Sequence, residues 1–366
     1  MQQIELSYVI APRRSGRTLI RNPLMELLHA VREQGSISAA ARTLGLSYRH
    51  VWGQLKCWEQ TLGRALVTGE QGQSAQLSPF GDKLLWAERQ AQARLAPQIE
   101  ALHADLERAF ALAFDDGMHV LSLHASHDDA LMLLRAHAAS RARLQLDIHF
   151  TGSVDAIRAL NQGRCVMAGF HTLERPPIGS LAQRTYKPLL KPGLHKLIGF
   201  ARRTQGLIVA PGNPLGLKTL ADVARRRARF VNRSLGTGTR VLLDELLARD
   251  GLDPAQLDGY AHDEPSHAAV AHAIASGQAD AGLGIESAAL NAGLSFVPLV
   301  HERYHLACLK AALDQPAIRS LLALLAADPW HHQLGTLPGY ESTHSGQVQS
   351  LSALLPWWNF KPKKPR

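Results

Sequence analysis

Residues 35–63 read GSISAAARTLGLSYRHVWGQLKCWEQTLG. The three alanines at 39–41 offer a small surface on which a second helix can cross closely, and Gly45 offers a tight turn. After that turn, Val51, Leu55 and Trp58 recur at helical spacing and predict a buried stripe. A first helix with small residues, a tight turn and an amphipathic second helix together predict a helix-turn-helix.

The opposite face of the second helix is polar and basic. In a recognition helix this face lies in the major groove, where arginine can donate two hydrogen bonds to guanine and glutamine can pair with adenine. Gly53 costs about 1 kcal/mol of helix propensity, which suits a close approach of the backbone to DNA. Each residue alone fits an ordinary amphipathic helix, so the prediction depends on the set. The predicted DNA contacts are Ser36, Ser47, Tyr48, Arg49, His50, Trp52, Gly53, Gln54 and Lys56.

The composition is that of a globular protein with a basic charge balance. The length of 366 residues, with 46% hydrophobic and 19% charged residues, favours two domains and a connector. The net charge of +9 favours an anionic partner, with nucleic acid first and a membrane surface or an anionic ligand behind it. The three cysteines form no metal-spaced pair, and no apolar run approaches the roughly 20 residues of a membrane helix. We therefore expect a cytoplasmic protein that does not bind membranes.

Flanking segments extend the helix-turn-helix on both sides. Residues 4–10 alternate apolar and polar and predict a short strand, while residues 65–78 predict a hairpin with a glycine- and glutamine-rich turn. A long helix should follow, in which Pro97 is expected to cause a kink or an interruption. Its apolar residues step by three and four, which predicts a seam for a partner helix or a face packed on its own domain. These residues are Leu95, Ile99, Leu102, Leu106 and Ala109.

After residue 117 the pattern changes to alternating strands and helices. Apolar runs such as LQLDIHF at 144–150 predict strands, and the alternation predicts an α/β fold with two open sheets. The chain as a whole is therefore α/β, with a mostly α-helical N-terminal winged helix-turn-helix. The predicted divisions are a DNA-binding domain at 1–83, a linker or dimerisation helix at 84–113, a ligand-sensing domain at 118–360 and a basic tail at 361–366.

Three segments of the α/β region have the chemistry of an anion site. Each follows a predicted strand and opens a helix, so its free backbone N–H groups can bind a negative ligand. Serine and aspartate are also common helix caps, and the glycine-rich third segment also fits a structural tight turn. The predicted ligand contacts in these segments are Ser126, His127, Gly152, Ser153, Ser234, Gly236, Thr237, Gly238, Thr239 and Arg240.

Residues 24–85 resemble the N-terminal domain of the molybdate-responsive ModE regulators and, more loosely, that of the LysR-type regulators. The resemblance rests on 35–48, on Trp52, on the wing at 69–75 and on QLSPFGDKLL at 76–85. The LysR pattern usually has a Pro-x-x-Ser turn where this chain has Ser-Tyr-Arg-His at 47–50, which is closer to ModE. The resemblance implies a dimer that places its third helix in the major groove of double-stranded DNA.

Residues 118–330 resemble the periplasmic-binding-protein-like domain that is fused to regulatory helix-turn-helix modules and to some molybdenum-cofactor biosynthesis proteins. The resemblance is most specific at 229–305. It implies a type II fold with lobe I at about 118–200 and 300–360, lobe II at about 213–298 and a ligand in the cleft between them. It adds Glu264, His267 and Tyr304 to the predicted ligand contacts.

Motifs of catalysis are missing from the sequence. It has no Gly-x-Ser-x-Gly elbow, GTGTR lacks the Lys-Ser/Thr of a nucleotide-hydrolysing loop, and the histidines lack metal-ligand spacing. We predict no catalytic residue, metal or cofactor. The favoured function is a homo-oligomeric transcription regulator, a dimer or tetramer, whose effector is a small anion such as molybdate, tungstate or a molybdenum-cofactor-related species. The alternatives are a molybdopterin-biosynthesis protein or enzyme, and an architectural DNA binder whose second domain only oligomerises.

Overall fold

The computed structural model describes residues 22–69, 75–114 and 117–358. The predicted strand at 4–10, the wing tip at 70–74 and the basic tail at 361–366 lie outside these ranges. The chain forms two compact units, which divide after Glu88. Among the described residues, no helix is both long and apolar enough to cross a membrane.

The N-terminal unit is a winged helix-turn-helix, as predicted. Each of its first three helices begins at a capping side chain, Asn22, Ser36 or Ser47, which accepts hydrogen bonds from the first turn. Gly35 and Gly45 set the two turns with φ values of 59° and 67°, which glycine adopts without strain. The elements are α1 (Pro23–Gln34), α2 (Ile37–Thr43), α3 (Tyr48–Leu62), β1 (Val67–Thr68), β2 (Gln76–Leu77) and the start of α4 (Pro79–Phe114).

The core of this unit lies between α1 and α3. Leu28, Val31, Val51 and Leu55 are fully buried there, whereas Trp58, expected in the same stripe, is only half-buried at the edge. Helix α4 has 36 residues and is continuous. The expectation that a proline interrupts this helix is wrong, because the turns on either side of position 97 are both helical.

The second unit is a two-lobed α/β domain. Lobe I begins with β3 (His119–Ala125), α5 (Asp129–Arg141), β4 (Leu144–Phe150), α6 (Ser153–Asn161), β5 (Met167–Leu173) and α7 (Leu181–Tyr186). Strand β6 (His195–Val209) leads to lobe II, which contains α8 (Leu220–Arg225), β7 (Phe230–Arg233), α9 (Gly238–Arg249), β8 (Asp263–Glu264), α10 (His267–Ala275), β9 (Ala281–Ile285) and α11 (Glu286–Asn291). Strand β10 (Ser295–Leu309) returns to lobe I, followed by α12 (Pro316–Leu325), α13 (Asp328–Leu334), β11 (Tyr340–Glu341), β12 (Val348–Gln349) and α14 (Leu351–Leu354).

The two long strands join the sheets of both lobes. The strand order is β4-β3-β5-β10-β6-β9-β7-β8, and β6 and β10 pair antiparallel over 15 residues each. The expected two sheets are therefore hydrogen-bonded into one. They meet because the same pair of strands contributes its ends to both lobes.

A buried ionic cluster lies where these strands pass between the lobes. Arg203 on β6 bonds to the carboxylates of Glu302 on β10 and of Asp128, the capping residue of α5. The hydroxyl of Tyr340 donates to Asp128 at 2.8 Å. Burial opposes the charged form, but the Glu302 and Asp128 carboxylates outweigh it and raise the pKa of Arg203. The cluster therefore ties both long strands to lobe I.

Replacing Arg203 with methionine should strongly destabilise the protein, because it leaves the Asp128 and Glu302 carboxylates buried without a cation. We expect a loss of about 3–5 kcal/mol in the free energy of unfolding, measured by urea denaturation. Glu341→Gln is the control, since it breaks an exposed ion pair with Arg202 of a kind that is worth about 0–1 kcal/mol. Equal losses in both variants would contradict a structural role for the buried cluster.

Candidate functional site

The exposed face of α3 contains most of the predicted DNA contacts. Tyr48, Arg49, His50 and Gln54 are all exposed. Ser47 is also exposed and accepts a hydrogen bond from the backbone N–H of His50 at 3.2 Å, which fixes the start of the helix. A Cβ atom built on Gly53 meets nothing within 4 Å, so no neighbour within the described residues requires glycine at this position.

The side chains of three other predicted DNA contacts interact with neighbouring residues of the N-terminal unit. Lys56 forms an ion pair with Glu59 at 2.6 Å and lies 4.7 Å from the centre of the Trp52 ring. The Trp52 ring stacks on Tyr48 with 6.3 Å between centroids. Ser36 is half-buried and caps α2. The side chains on α3 that are free to reach a partner are therefore concentrated in its first two turns.

Loops from both lobes meet beside the crossing strands. A Cβ atom on Gly152 of lobe I would lie only 2.7 Å from the carbonyl oxygen of Gly236 in lobe II. The backbone N–H of Val154 donates to that same oxygen at 3.4 Å. The start of α9 at Gly238 packs equally closely on His171 of β5, where a Cβ atom would lie 2.8 Å from Nδ1. The second and third predicted anion-binding segments are thus brought together.

Five buried side chains around this junction carry polar atoms with no hydrogen-bond partner in the described part of the chain. An unpaired buried polar atom costs about 1–3 kcal/mol, so a group of them indicates a missing partner. The rings of His171 and Tyr304 lie 3.9 Å apart, and both lobes contribute to the set. The unpaired atoms are Ser126 Oγ, both ring nitrogens of His171, Arg233 Nε, His267 Nδ1 and the Tyr304 hydroxyl. We call these five residues the junction cluster.

Arg233 supplies the positive charge of the junction cluster. It is the last residue of β7, is 1% exposed and donates to the backbone carbonyl of Glu264 at 2.9 Å. Among the described residues it forms no salt bridge with a carboxylate. Burial and the charge of Arg203 lower the pKa of Arg233 to about 9, although Asp263 and Glu264 oppose the shift. A buried, uncompensated guanidinium is a place where an anion is stabilised.

The two histidines of the cluster are held neutral. Burial, followed by the charge of Arg203, lowers the pKa of His171 well below its usual value. Burial and the charge of Arg233 do the same for His267, and His127 of lobe I adds to the effect. A neutral imidazole can donate from one nitrogen and accept at the other, so these rings can hydrogen-bond a bound ligand without adding charge. The described residues contain no group of three or more His, Cys, Asp or Glu that could hold a metal ion.

Comparison with known proteins identifies both units. Residues 134–326 match the PBP superfamily domain. The chain belongs to the PBP superfamily. Residues 23–82 match the bacterial regulatory helix-turn-helix protein, lysR family, so a lysR-type helix-turn-helix is fused to the PBP domain. This combination is that of a regulatory protein and not of an enzyme.

Individual relatives match this chain over parts of its length. It is 33% identical over 199 residues to the uncharacterized protein YvgK of Bacillus subtilis, which covers 54% of this chain and 64% of YvgK. It is 37% identical over 84 residues to the molybdenum-pterin-binding protein MopB of Rhodobacter capsulatus, covering 22% of this chain and 31% of MopB. The chain thus spans less than two thirds of either relative. The solved structure of hydrogen-peroxide-bound OxyR from Corynebacterium glutamicum aligns over 86% of this chain and 95% of that chain, with 16% identity and a TM-score of 0.42.

Two predicted ligand contacts of the PBP domain have charged side chains that already bind protein groups. Arg240 lies 3.4 Å from Asp244 and 4.1 Å from the centre of the Tyr260 ring, so its charge is used within lobe II. The carboxylate of Glu264 is bound by Arg94 of α4, with Nη2 2.5 Å from one oxygen. Each side chain therefore has an oppositely charged partner in the second unit, while Arg240 Nε forms no hydrogen bond among the described residues. Their contact with a ligand stays a prediction.

The remaining predicted contacts divide between helix caps and the junction. Thr237 caps α9, and its hydroxyl donates to Ser234 at 2.7 Å, so both residues shape the turn around Gly236. Ser153 is fully buried beside Tyr186 in the core of lobe I. Thr239 lies at the junction, where its hydroxyl accepts from Gln205 at 3.1 Å. Ser126, His267 and Tyr304 are the predicted contacts that belong to the junction cluster itself.

Sequence reasoning missed Arg233 and His171. A signal for Arg233 existed: it ends the strand FVNR, which is buried at every position, and α/β sheets bind ligands at the carboxyl ends of their strands. His171 had no local signal, because it reaches the site through its pairing with Tyr304 across β5 and β10.

Low pH should lower the free energy of unfolding of this protein, because three histidines are buried in their neutral form. His171, His267 and His305 all have lowered pKa values, and burial lowers that of His305 to about 3. In the unfolded chain they titrate at about pH 6.5. Above that pH the stabilising contribution is complete. Below it, stability should fall by about 1.4 kcal/mol per pH unit for each histidine, until the folded-state pKa is reached.

Urea denaturation of the full chain between about pH 7.5 and about pH 5.5 measures this effect. His305→Gln provides the comparison, because it removes one titrating ring and should make the decline with falling pH shallower. A free energy of unfolding that stays constant across this interval would contradict the assignment of neutral buried rings.

Proposed function

We propose that the chain is a DNA-binding transcription regulator whose PBP domain senses a small anion. The proposal rests on the surroundings of Arg233. This buried guanidinium forms no salt bridge among the described residues, and unpaired hydrogen-bonding atoms from both lobes lie around it. In this proposal residues 1–83 bind DNA, 84–113 connect and pair the subunits, and 118–360 sense the ligand. A regulator with DNA as its target acts in the cytoplasm.

DNA binding is assigned to the first two turns of α3. Arg49 and Gln54 are exposed on this helix and carry the hydrogen-bonding groups that pair with guanine and adenine, and Tyr48 and His50 are next to Arg49 in the sequence. Val51 and Leu55 are buried on the other side, so the helix can enter a groove without loss of its core contacts. The match to the lysR family of regulatory helix-turn-helix proteins supports this assignment.

Effector binding is assigned to the junction cluster. Ser126 and Tyr304 can donate hydrogen bonds from lobe I and the crossing strand β10, while Arg233 and His267 can do so from lobe II. An anion among them would neutralise Arg233 and bridge the two lobes. It would therefore bind the closed arrangement of the lobes better than an open one and shift the protein towards it.

Molybdate, tungstate or a molybdenum-cofactor-related species is the proposed effector. The partial match to a protein named as molybdenum-pterin-binding supports this class, as does the resemblance of the helix-turn-helix to ModE regulators. The contact between Gly152 and Gly236 favours a compact oxyanion over a larger ligand, because the loops of the two lobes already touch there.

Helix α4 is the proposed contact between subunits. It exposes Leu95, Leu102 and Phe110, and exposed apolar side chains of this size on one helix suit burial against a second copy. We propose a homodimer or a tetramer built on this contact.

Arg49→Ala should weaken specific DNA binding by about 1–3 kcal/mol, because it removes two hydrogen bonds to a base. Gly53→Ala should also weaken it, while stabilising the free protein by about 1 kcal/mol through helix propensity. Gln60→Ala, an exposed change near the end of the same helix, is the control. Gel-shift titration with fragments from upstream of the gene measures all three, and an Arg49→Ala variant that binds like wild type would refute the base contact.

Thermal unfolding in the presence of molybdate, tungstate, sulfate and a panel of carboxylates tests the effector site. At least one oxyanion should raise the Tm of the wild type. Arg233→Met should abolish that rise without lowering the Tm of the free protein, since it removes an uncompensated buried charge. Arg229→Met, which removes an exposed arginine paired with Asp280, should keep the response. No stabilisation by any oxyanion would remove the proposal.

A further inference from the structure

One short segment, Glu264–His267, lies between the junction cluster and helix α4. Towards the cluster, the carbonyl oxygen of Glu264 accepts a hydrogen bond from Arg233, and His267 contributes an unpaired nitrogen. Towards α4, the Glu264 carboxylate and the Ser266 hydroxyl both bind residues of the helix. The same four residues therefore contact the ligand site and the connector.

The attachment of α4 to this segment is specific and is buried on the side of lobe II. Arg94 donates from Nε to both carboxylate oxygens of Glu264, at 2.9 and 3.1 Å, and from Nη2 at 2.5 Å. Ser266, which caps α10, donates from its hydroxyl to the backbone carbonyl of Ala93 at 3.1 Å. Ser266 is 0% exposed and Glu264 4%. A buried carboxylate that receives three hydrogen bonds from one guanidinium is a strong, directional contact.

Two guanidinium groups bind Glu264: Arg94 binds its carboxylate, and Arg233 donates to its backbone carbonyl. Glu264 is hydrogen-bonded to Arg94, and its charge also acts on Arg233, which has no salt-bridge partner among the described residues. Asp263, the other acid that acts on Arg233, is exposed on the surface. An anion bound in the junction cluster would supply the counter-charge of Arg233. It would then leave the Glu264 carboxylate entirely to Arg94.

We propose that Glu264 exchanges between Arg94 and Arg233, so that an anion bound to Arg233 fastens α4 to lobe II and loss of the anion releases it. The mechanism rests on the proposed anion site and adds a way in which anion binding acts on α4. Helix α4 is continuous from Pro79 to Phe114, so Ala93 and Arg94 lie on the same helix as the residues that follow the wing. In one proposed state the Glu264 carboxylate is bound by Arg94, and in the other it is bound by Arg233.

Hydrogen exchange of the full chain tests the mechanism at residues 89–100 of α4, with sodium tungstate and sodium molybdate as probes. In the wild type, the probe that raises Tm should slow exchange in this segment by about 5- to 150-fold, the usual range of coupling between two sites. Arg94→Met should still bind the anion, with the Tm rise retained, but should exchange rapidly with or without it.

One further variant tests the mechanism without a ligand, and another serves as its control. In Arg233→Met, Glu264 has no competitor, so α4 should be as protected without an anion as the wild type is with one. Gln278→Ala is the control, because it removes only the exposed amide pair with Gln90 at 2.8 and 3.1 Å and should keep the anion response. If neither tungstate nor molybdate raised the Tm of the wild type, the anion site and this mechanism with it would be overturned. A normal Tm rise with unchanged exchange in α4, or with the same slowing in Arg94→Met, would overturn the mechanism alone.

Discussion

Two arginines are buried at the passage between the lobes, and the difference in their surroundings organises the PBP domain. Arg203 is matched by the carboxylates of Asp128 and Glu302, and together they tie the two long strands to lobe I. Arg233 is equally buried, but its guanidinium donates to a backbone carbonyl and forms no salt bridge among the described residues. The desolvation of a charge is too costly to leave without compensation, so the second arginine requires a counter-charge that the described residues do not supply.

That requirement connects the ligand site to the rest of the chain. The groups around Arg233 come from both lobes, so a bound anion would hold the lobes together. The segment that carries Glu264 and His267 also holds α4, the helix that continues from the DNA-binding unit. In our proposal, anion binding at this one buried charge alters lobe closure and the attachment of α4 together.

The DNA-binding unit could be predicted in detail because its signals are local. Ser36 and Ser47 cap their helices within one turn, and Val51 and Leu55 repeat at helical spacing. The two-lobed fold and its crossing strands also followed from the pattern and from the family resemblance. The centre of the proposed anion site did not. His171 and Tyr304 are brought together by the pairing of β5 with β10, and the sequence pattern pointed to Arg240, which lies 3.4 Å from Asp244, instead of Arg233. Contacts set by long-range pairing leave no periodic trace in the sequence.

The most direct measurement is a crystal structure of the full chain with tungstate, whose anomalous scattering locates the anion without ambiguity. The proposed anion site predicts a single strong peak between the lobes, within hydrogen-bonding distance of Arg233 and Ser126, with the Glu264 carboxylate on Arg94. A tungstate ion bound anywhere else, with Arg233 still bonded only to the carbonyl of Glu264, would contradict it.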